Sequence, residues 1–229
     1  MNQKKDFADL HCEVKARISA SVDQYDSVDA LLAELQNLYS QAEVLLALNS
    51  ENPSHIACHA GCAHCCVVNV SISLLEGVTI VKFLQQLEPS ERDAISFSLD
   101  QLWTRIRGLD DDERLAQKQK CAFLNKSGCC SIYPVRPLFC RGVTSTNPEA
   151  CQLAVVCKLH GEAQPILMHQ YQKQLYETLY LGISDGLNRA GLDGRSFQMS
   201  GLVRYLQKKQ DASHVLFSQQ KLRWEELYA

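Results

Sequence analysis

The sequence lacks any apolar run long enough to cross a membrane. Its longest runs, such as residues 45–48, fall far short of the roughly 20 residues that a membrane-spanning helix needs. The first twenty residues include basic side chains but no apolar core of the kind that a secretory signal requires. We therefore expect a protein with no membrane partner and a cytoplasmic location.

A strong excess of charge of either sign is also missing. The 229 residues include 23 basic and 26 acidic side chains, and the formal net charge is -3. This balance argues against general nucleic-acid binding. Charges are nevertheless unevenly spread, because residues 53–74 include no Asp, Glu, Lys or Arg, whereas residues 114–148 include six basic residues and no acidic one. The basic run is either a solvated surface or a site for an anionic group.

Helical periodicity covers much of the chain. Apolar residues recur three or four positions apart in residues 27–48, 91–106 and 165–187, which predicts amphipathic helices there. Shorter helices are predicted at residues 200–206 and 217–227. We expect an all-α fold for residues 1–229 as a single domain, in which a helical body holds a loop-rich, cysteine-lined segment.

Two local patterns predict where helices begin. Ser73 and Glu76 have the spacing of a capping box, which predicts a helix after a short extended stretch. Asn147 and Pro148 are typical of an N-cap and a first helical residue, so Cys151 should lie in the first turn of that helix. Regular periodicity is absent from residues 121–151, which are rich in Gly, Ser, Asn and Pro, and we expect loops there.

Eleven cysteines are far more than ordinary usage gives a chain of this length. Thiols in a reducing compartment do not form stable disulfides, and an odd count leaves at least one thiol unpaired. Abundant cysteine in such a chain therefore indicates metal or redox chemistry. Nine of the eleven fall within residues 58–66 and 121–151.

The first segment, CHAGCAHCC, is compatible with two local structures. On a continuous helix its four cysteines would share one face. Alternatively, Gly61 opens a turn, and Cys62 and Cys65 form a loop chelate of the kind found in zinc and iron-sulfur sites. Cys65 and its neighbour Cys66 point in different directions in either structure. Either one of them is a bystander, or the site holds a cluster or more than one ion.

The two segments together resemble the YkgJ-type cysteine-cluster family. That family has the pattern Cys-x2-3-Cys-x2-Cys-Cys, then Cys-x-Phe-Leu, then Cys-x-Ile-Tyr-x-x-Arg-Pro-x-x-Cys-Arg, which CHAGCAHCC and CAFLNKSGCCSIYPVRPLFCRGV follow here. Its members are described as zinc- or iron-chelating, and they include flagellin lysine N-methylase. The matching positions are Cys58, Cys62, Cys65, Cys66, Cys121, Cys130, Ile132, Tyr133, Arg136, Pro137, Cys140 and Arg141, and Cys151 resembles a further family cysteine.

The resemblance implies a centre of zinc or iron, either as ions or as a 4Fe-4S cluster. The expected metal ligands are Cys58, Cys62, Cys65, Cys66, Cys121, Cys130, Cys140 and Cys151. Four or more thiolates on such a centre leave net negative charge, which nearby cations stabilise. We expect Arg136 and Arg141 to be those cations. Cys129 is an extra thiol beside Cys130.

Other residues near the two cysteine segments are weaker candidates for metal ligands or have packing roles. His59 and His64 are further ligand candidates, although surface histidines beside a motif are common, and the claims of His55, His160 and His169 are weaker still. Phe123 and Tyr133 should pack around the site and shield it from water. Cys12 and Cys157, outside the matched pattern, should serve as small apolar side chains.

Three functions remain open. The protein could store, sense or deliver metal, and a protein partner or substrate is compatible with this. It could resemble the flagellin methylase and methylate lysine, although no GxGxxG loop is present to bind a methyl donor. It could also be a thiol redox switch, in which Cys65 and Cys66, or Cys129 and Cys130, cycle with oxidation.

Overall fold

The computed structural model describes residues 6–25, 27–49, 56–159, 162, 164–218 and 220–228. It is mostly helical, which confirms the predicted all-α fold. Within the described ranges, no helix combines the length and apolar character that a membrane span needs. The helices are Phe7–Tyr25 (α1), Val28–Asn49 (α2), Leu74–Gln85 (α3), Pro89–Ile106 (α4), Asp111–Ala116 (α5), Leu138–Gly142 (α6), Pro148–Leu159 (α7), Gln170–Arg189 (α8), Met199–Gln207 (α9) and Ala212–Leu216 (α10).

Helix α8 is the main support on one side of the molecule, where it contacts α1, α2 and α6. Two of its glycines allow α1 to approach closely. A Cβ at Gly182 would lie 2.7 Å from the Val14 side chain, and a Cβ at Gly186 would lie 2.7 Å from Ile18. Since both apolar side chains are fully buried against these glycines, the α1–α8 contact is an extended part of the core.

A second helical group consists of α3, α4, α9 and α10. It is joined by an antiparallel pair of short strands, Ser71–Ser73 (β1) and Ser196–Gln198 (β2). Each strand leads directly into a helix, β1 into α3 and β2 into α9. Because the strands are antiparallel, with Ser71 opposite Gln198 and Ser73 opposite Ser196, α3 and α9 start at opposite ends of the pair.

The predicted capping box at the start of α3 is confirmed. Ser73 Oγ accepts a hydrogen bond from the Glu76 backbone N–H at 3.2 Å, and Glu76 Oε2 accepts one from the Ser73 N–H at 2.8 Å. The second carboxylate oxygen, Oε1, accepts the N–H of Leu138 at 2.9 Å. One buried side chain thus ties the helical body to the first residue of α6, within the second cysteine segment.

Two predicted helices are wrong in extent. The helix predicted for residues 165–187 begins only at Gln170, because the preceding backbone bonds to another loop: the His169 N–H donates to Thr144 Oγ1, and the Thr146 N–H donates to the Leu167 carbonyl. The helix predicted for residues 217–227 does not form: among the described residues there, α10 has already ended at Leu216, and the regular structure is a 3₁₀ turn, Trp224–Tyr228. Between them, the Leu222 N–H donates to the Asp193 carboxylate.

Residues 121–151 are mostly loop, as predicted. The regular structure within them is limited to a 3₁₀ turn, Tyr133–Val135, helix α6 and the first residues of α7. Three of their apolar side chains, Phe123, Ile132 and Leu138, are almost completely buried in the core. The loop is therefore anchored by packing as well as by any bound group.

Candidate metal centre

The first cysteine segment is a loop. Residues 56–70 include neither helix nor strand, and successive turns are closed by hydrogen bonds from the Cys62 N–H to the His59 carbonyl and from the Cys66 N–H to the Ala63 carbonyl. Gly61 has a φ of +88°, a conformation that side chains with a Cβ rarely adopt. Of the two structures that the spacing allows, the turn at Gly61 is the one that forms.

Direct backbone contacts join the two cysteine segments. The Cys121 N–H donates to the Cys66 carbonyl at 2.7 Å, and the Ala57 N–H donates to the Ser145 carbonyl at 2.8 Å. The Ser145 N–H also donates a hydrogen bond to the Cys58 sulfur at 3.3 Å. Residues far apart in the sequence are thus held against each other at both ends of the first segment.

A tight loop brings Cys121 towards Cys130. The Asn125 side-chain oxygen accepts the N–H groups of Ser127 and Cys129, at 3.0 and 2.9 Å. The loop closes through an isolated bridge between Leu124 and Cys130. The two thiols are close enough to interact electrostatically.

Seven of the eight candidate ligands line one mostly enclosed cavity of 160 Å³, which we call the inner cavity. The cysteines on its wall are Cys58, Cys62, Cys65, Cys66, Cys121, Cys130 and Cys140. Two arginines, Arg114 and Arg136, and two aromatic side chains, Phe123 and Tyr133, also line it. Phe123 is buried as expected, whereas the Tyr133 side chain is 60% exposed and shields the site only in part.

A second, more open cavity of 710 Å³, the outer cavity, lies beside the first. Its cysteines are Cys58, Cys62, Cys65 and Cys140, which also line the inner cavity, and Cys151, which does not. The rest of its wall is mainly apolar and comes from residues 68–70, from α6 and α7, and from residues 164–168. The four shared cysteines therefore lie between the two cavities.

The predicted N-cap places Cys151 in the outer cavity. Asn147 Oδ1 accepts the N–H groups of Glu149 and Ala150, at 2.8 and 3.2 Å, which fixes the first turn of α7. Cys151 follows in that turn and interacts electrostatically with Cys58. Among the candidate ligands, Cys151 therefore lies near Cys58, which also lines the outer cavity.

The adjacent thiols Cys65 and Cys66 have opposite pKa shifts. The hydrogen bond from Cys66 lowers the pKa of Cys65 to about 6, with a further contribution from Arg136. The same hydrogen bond and burial raise the pKa of Cys66. Burial raises the pKa of Cys121 to about 11 and that of Cys140 to about 12. A metal ion that binds these buried thiols as thiolates must therefore displace protons.

The two predicted cations differ in their surroundings. Burial lowers the pKa of Arg136, but Cys140, Cys65 and Cys130 raise it by more, so this guanidinium lies among the candidate ligands. Its Nη2 donates to the Cys140 carbonyl.

Arg141 is engaged mainly with the surrounding protein. Its Nε donates to the Arg136 carbonyl at 2.7 Å, its Nη2 donates to the Pro134 carbonyl at 3.0 Å, and its guanidinium lies 4.4 Å from the centre of the Tyr39 ring. Arg141 therefore links the loop at residues 134–136 to α2. Its expected role as a cation near the metal remains a prediction.

Arg114 is a candidate that the sequence analysis missed. Its side chain is only 2% exposed, and its Nε and Nη1 atoms are buried without a hydrogen-bond partner among the described residues. It lines the inner cavity and interacts electrostatically with Cys121. The basic run in the sequence includes Arg114, but neither spacing nor family pattern separates it from exposed neighbours such as Lys118 and Lys120.

The histidines have varied positions. His59 and His64 are exposed, and His64 lines the outer cavity. His169 caps α8, where its Nδ1 accepts the Gln172 N–H at 3.1 Å, which is a structural role. His55 and His160 lie outside the described residues. Across the part of the chain that the structure describes, no three His, Cys, Asp or Glu side chains are grouped closely enough to hold a single metal ion.

The remaining cysteines lie away from the inner cavity. All eleven cysteines belong to the described residues, and all are free thiols. Cys12 is exposed on α1, so the expectation that it packs as an apolar side chain is wrong. Cys129 points towards the Ser127 carbonyl, and it lines neither cavity. Cys157 is half-buried on α7.

Comparison with protein families identifies the cysteine-bearing part of the chain. Residues 57–158 match a family model named CxxCxxCC, which is described as a "Putative zinc- or iron-chelating domain". The matched residues, slightly less than half of the chain, are similar to this family. The match confirms the resemblance and includes both cysteine segments. Searches among curated proteins and among solved structures gave no match.

The matched region of this chain fits a zinc or iron group. Thiolates are ligands that both metals accept, and seven thiols line one cavity of this region. Two buried nitrogen atoms of Arg114 on the same wall have no hydrogen-bond partner among the described residues, and they suit an anionic group, which is what metal bound by several thiolates forms. The family match and these features support metal binding by the chain.

Proposed function

We propose that this chain binds an iron-sulfur cluster in the inner cavity. The observation that carries this proposal is the size of the cavity that seven thiols line together with apolar and basic side chains. The cavity measures 160 Å³, whereas one water molecule needs about 10–15 Å³. A single tetrahedral ion fills little space beyond its four ligands, so the cavity suits a group of several atoms.

Electrostatic interactions join five of the thiols on the inner cavity into one group, from which four ligands can come. Cys121 and Cys140 each interact with Cys65 and Cys130, and also with each other, and Cys66 interacts with Cys65, Cys121 and Cys140. Iron-sulfur clusters are held by four cysteine thiolates in many proteins. When bound, a cluster of this kind would transfer electrons or polarise a ligand. The chain's own residues would hold it, exclude water and balance its charge.

Zinc is the second candidate, and the grouping of the remaining thiols favours it. Cys58 interacts electrostatically with Cys62, Cys65 and Cys151, which places a further set of thiols between the two cavities. With Cys66 in the first group and Cys65 assigned to the second, two zinc ions with four ligands each would use the same eight cysteines. Among the described residues, the thiols of each group would have to move closer together to hold a single ion. Thiolate chemistry alone admits both metals.

Elemental analysis after oxygen-free purification distinguishes these candidates. We expect iron and acid-labile sulfide in the protein together with broad visible absorption, because iron-sulfur clusters are coloured and zinc is not. Zinc without sulfide would overturn the cluster in favour of the second candidate. A folded, reduced chain that takes up neither metal would overturn both.

Two adjacent cysteines provide a matched pair of variants. Cys130 lines the inner cavity and Cys129 does not. We expect Cys130→Ser to lower iron and sulfide strongly, while Cys129→Ser leaves both close to wild type. Equal losses in the two variants would count against the proposed ligand group.

The wider biological role rests on further proposals. We propose a cytoplasmic location, because a reducing compartment keeps the thiols available for metal. The lysine methyltransferase and thiol-switch functions stay predictions. Binding of S-adenosylmethionine to the metal-loaded protein tests the first, and thiol counting before and after a mild oxidant tests the second.

A further inference from the structure

Arg114 is a buried cation whose charge no carboxylate of the described residues neutralises. Its side chain is 2% exposed, and two of its three guanidinium-group nitrogens, Nε and Nη1, are buried with no hydrogen-bond partner among the described residues. Removing a charged group from water without a partner costs free energy. Such a group persists in a fold when another contact offsets that cost.

The acidic residues nearest in sequence are engaged elsewhere. Asp110 and Glu113 form a capping box with each other's backbone at the start of α5. Asp111 accepts a hydrogen bond from Asn69 at 2.9 Å, and Asp112 forms a 3.0 Å ion pair with Lys158. These contacts hold α5 against the loop just after the first cysteine segment and against α7, and the Arg114 side chain faces the inner cavity.

Arg114 faces the inner cavity. It lines that cavity with the seven cysteines, and among the charged groups it interacts chiefly with Cys121. A guanidinium has five N–H donors in a rigid planar fork and no acceptor, so it requires electron-rich partners. The thiolate and sulfide atoms of a metal centre are partners of this kind.

We propose that Arg114 donates hydrogen bonds to the anionic metal centre in the inner cavity and so helps to retain it. This inference rests on the proposed function and applies to either iron or zinc. It assigns Arg114 a role that Lys118 and Lys120, exposed in the same basic run, do not share. Arg114 would thus stabilise the centre through hydrogen bonds and would not be a metal ligand.

The test compares metal-free and metal-loaded protein, because a structural role and the proposed role predict opposite results. We would measure the melting temperature of the reduced, metal-free chain and, separately, the rate at which excess EDTA removes metal from the loaded chain. The variants are Arg114→Met, which removes the charge, and Arg114→Lys, which keeps it. Arg107→Met removes an exposed arginine just after α4 and is the matched control.

Arg114→Met should leave the melting temperature of the metal-free chain unchanged or raised, because it removes an unpaired buried charge. The loaded variant should lose metal about 10- to 100-fold faster, which is the factor by which loss of a residue that supports metal ligands typically weakens metal affinity. Arg114→Lys should lose metal more slowly than Arg114→Met, and Arg107→Met should match wild type in both measurements.

A lower melting temperature or failure to fold in metal-free Arg114→Met would overturn the inference, and so would an unchanged rate of metal loss. If wild type binds metal and only this variant behaves unexpectedly, the inference alone fails. If wild type binds neither iron nor zinc, the proposed function itself fails.

Discussion

The buried carboxylate of Glu76 accepts the backbone N–H of Leu138 at 2.9 Å. The same carboxylate accepts hydrogen bonds from the N–H and the hydroxyl of Ser73, so it serves the start of α3 and the start of α6 at once. Cys140 is the third residue of α6. A side chain in the helical body therefore helps to position a candidate metal ligand 64 residues further along the chain.

Replacing Glu76 by Gln should destabilise the fold. An amide nitrogen in place of one carboxylate oxygen cannot accept a hydrogen bond, so a buried donor loses its partner, at a cost of about 1–3 kcal/mol. Urea unfolding of the reduced, metal-free protein measures this free energy. Glu88→Gln is the control, because Glu88 is exposed and makes no side-chain cap. A Glu76→Gln variant as stable as Glu88→Gln would contradict the shared role of the carboxylate.

The stability contributed by Glu76 should depend on pH. Burial raises the pKa of Glu76 above its ordinary value of 4.5, and hydrogen bonds from Leu138 and Ser73 offset only part of this. The folded chain thus binds this proton more tightly than the unfolded chain does. The contribution is fully present below pH 4.5 and falls as the pH rises through the raised pKa.

Unfolding free energies of wild type and Glu76→Gln, measured at steps of pH, isolate this effect. The difference in stability in favour of wild type should be largest at the acidic end and should narrow as the pH rises above 4.5. A difference that widens over that range would mean that the folded-state pKa is lowered.

Gly61→Ala should weaken metal retention as well as stability. Gly61 has a φ of +88°, so a Cβ there is strained by about 1–2 kcal/mol even though its nearest neighbour, the Ser127 carbonyl oxygen, would lie at an ordinary contact distance of 3.9 Å. Gly108→Ala is a matched control, because Gly108 has a φ of +79°, lies in open space and is outside both cavities. Both variants should lose similar stability when metal-free, but only Gly61→Ala should lose metal faster to EDTA. Equal rates of loss would show that the Gly61 turn does not hold the ligands.

Cys151 and Cys140 should differ in their effect on the proposed cluster. Cys140 lines the inner cavity, whereas Cys151 lines only the outer one. We expect Cys140→Ser to abolish visible absorption and Cys151→Ser to retain most of it, with Cys157→Ser as a control from the same helix as Cys151. Complete bleaching in Cys151→Ser would place this thiol among the cluster ligands after all.

Local signals predicted part of the fold correctly. The capping box at Ser73 and Glu76 and the N-cap at Asn147 were recognisable because each depends on residues close in sequence. Helix α1 was not predicted. Its buried residues Leu10, Val14 and Ile18 form a thin apolar stripe, and its helical state depends on the close contact with α8 that the glycines of α8 permit.

The candidate site was predictable in composition but not in arrangement. Sequence spacing left the helix and the turn at Gly61 equally open, because the same offsets suit both. It treated eight cysteines alike, whereas the structure separates Cys151 from the seven on the inner cavity. It also could not identify Arg114, since burial within a basic run depends on how α5 packs against distant residues.

X-ray absorption at the metal edge, on protein purified without oxygen, tests the central claim most directly. If thiols from both segments hold an iron-sulfur cluster, the iron should have an all-sulfur first shell together with an iron–iron scattering path, and Cys130→Ser should diminish both. A first shell of nitrogen or oxygen, an isolated iron atom with no neighbouring iron, or a folded chain that binds no iron would contradict it.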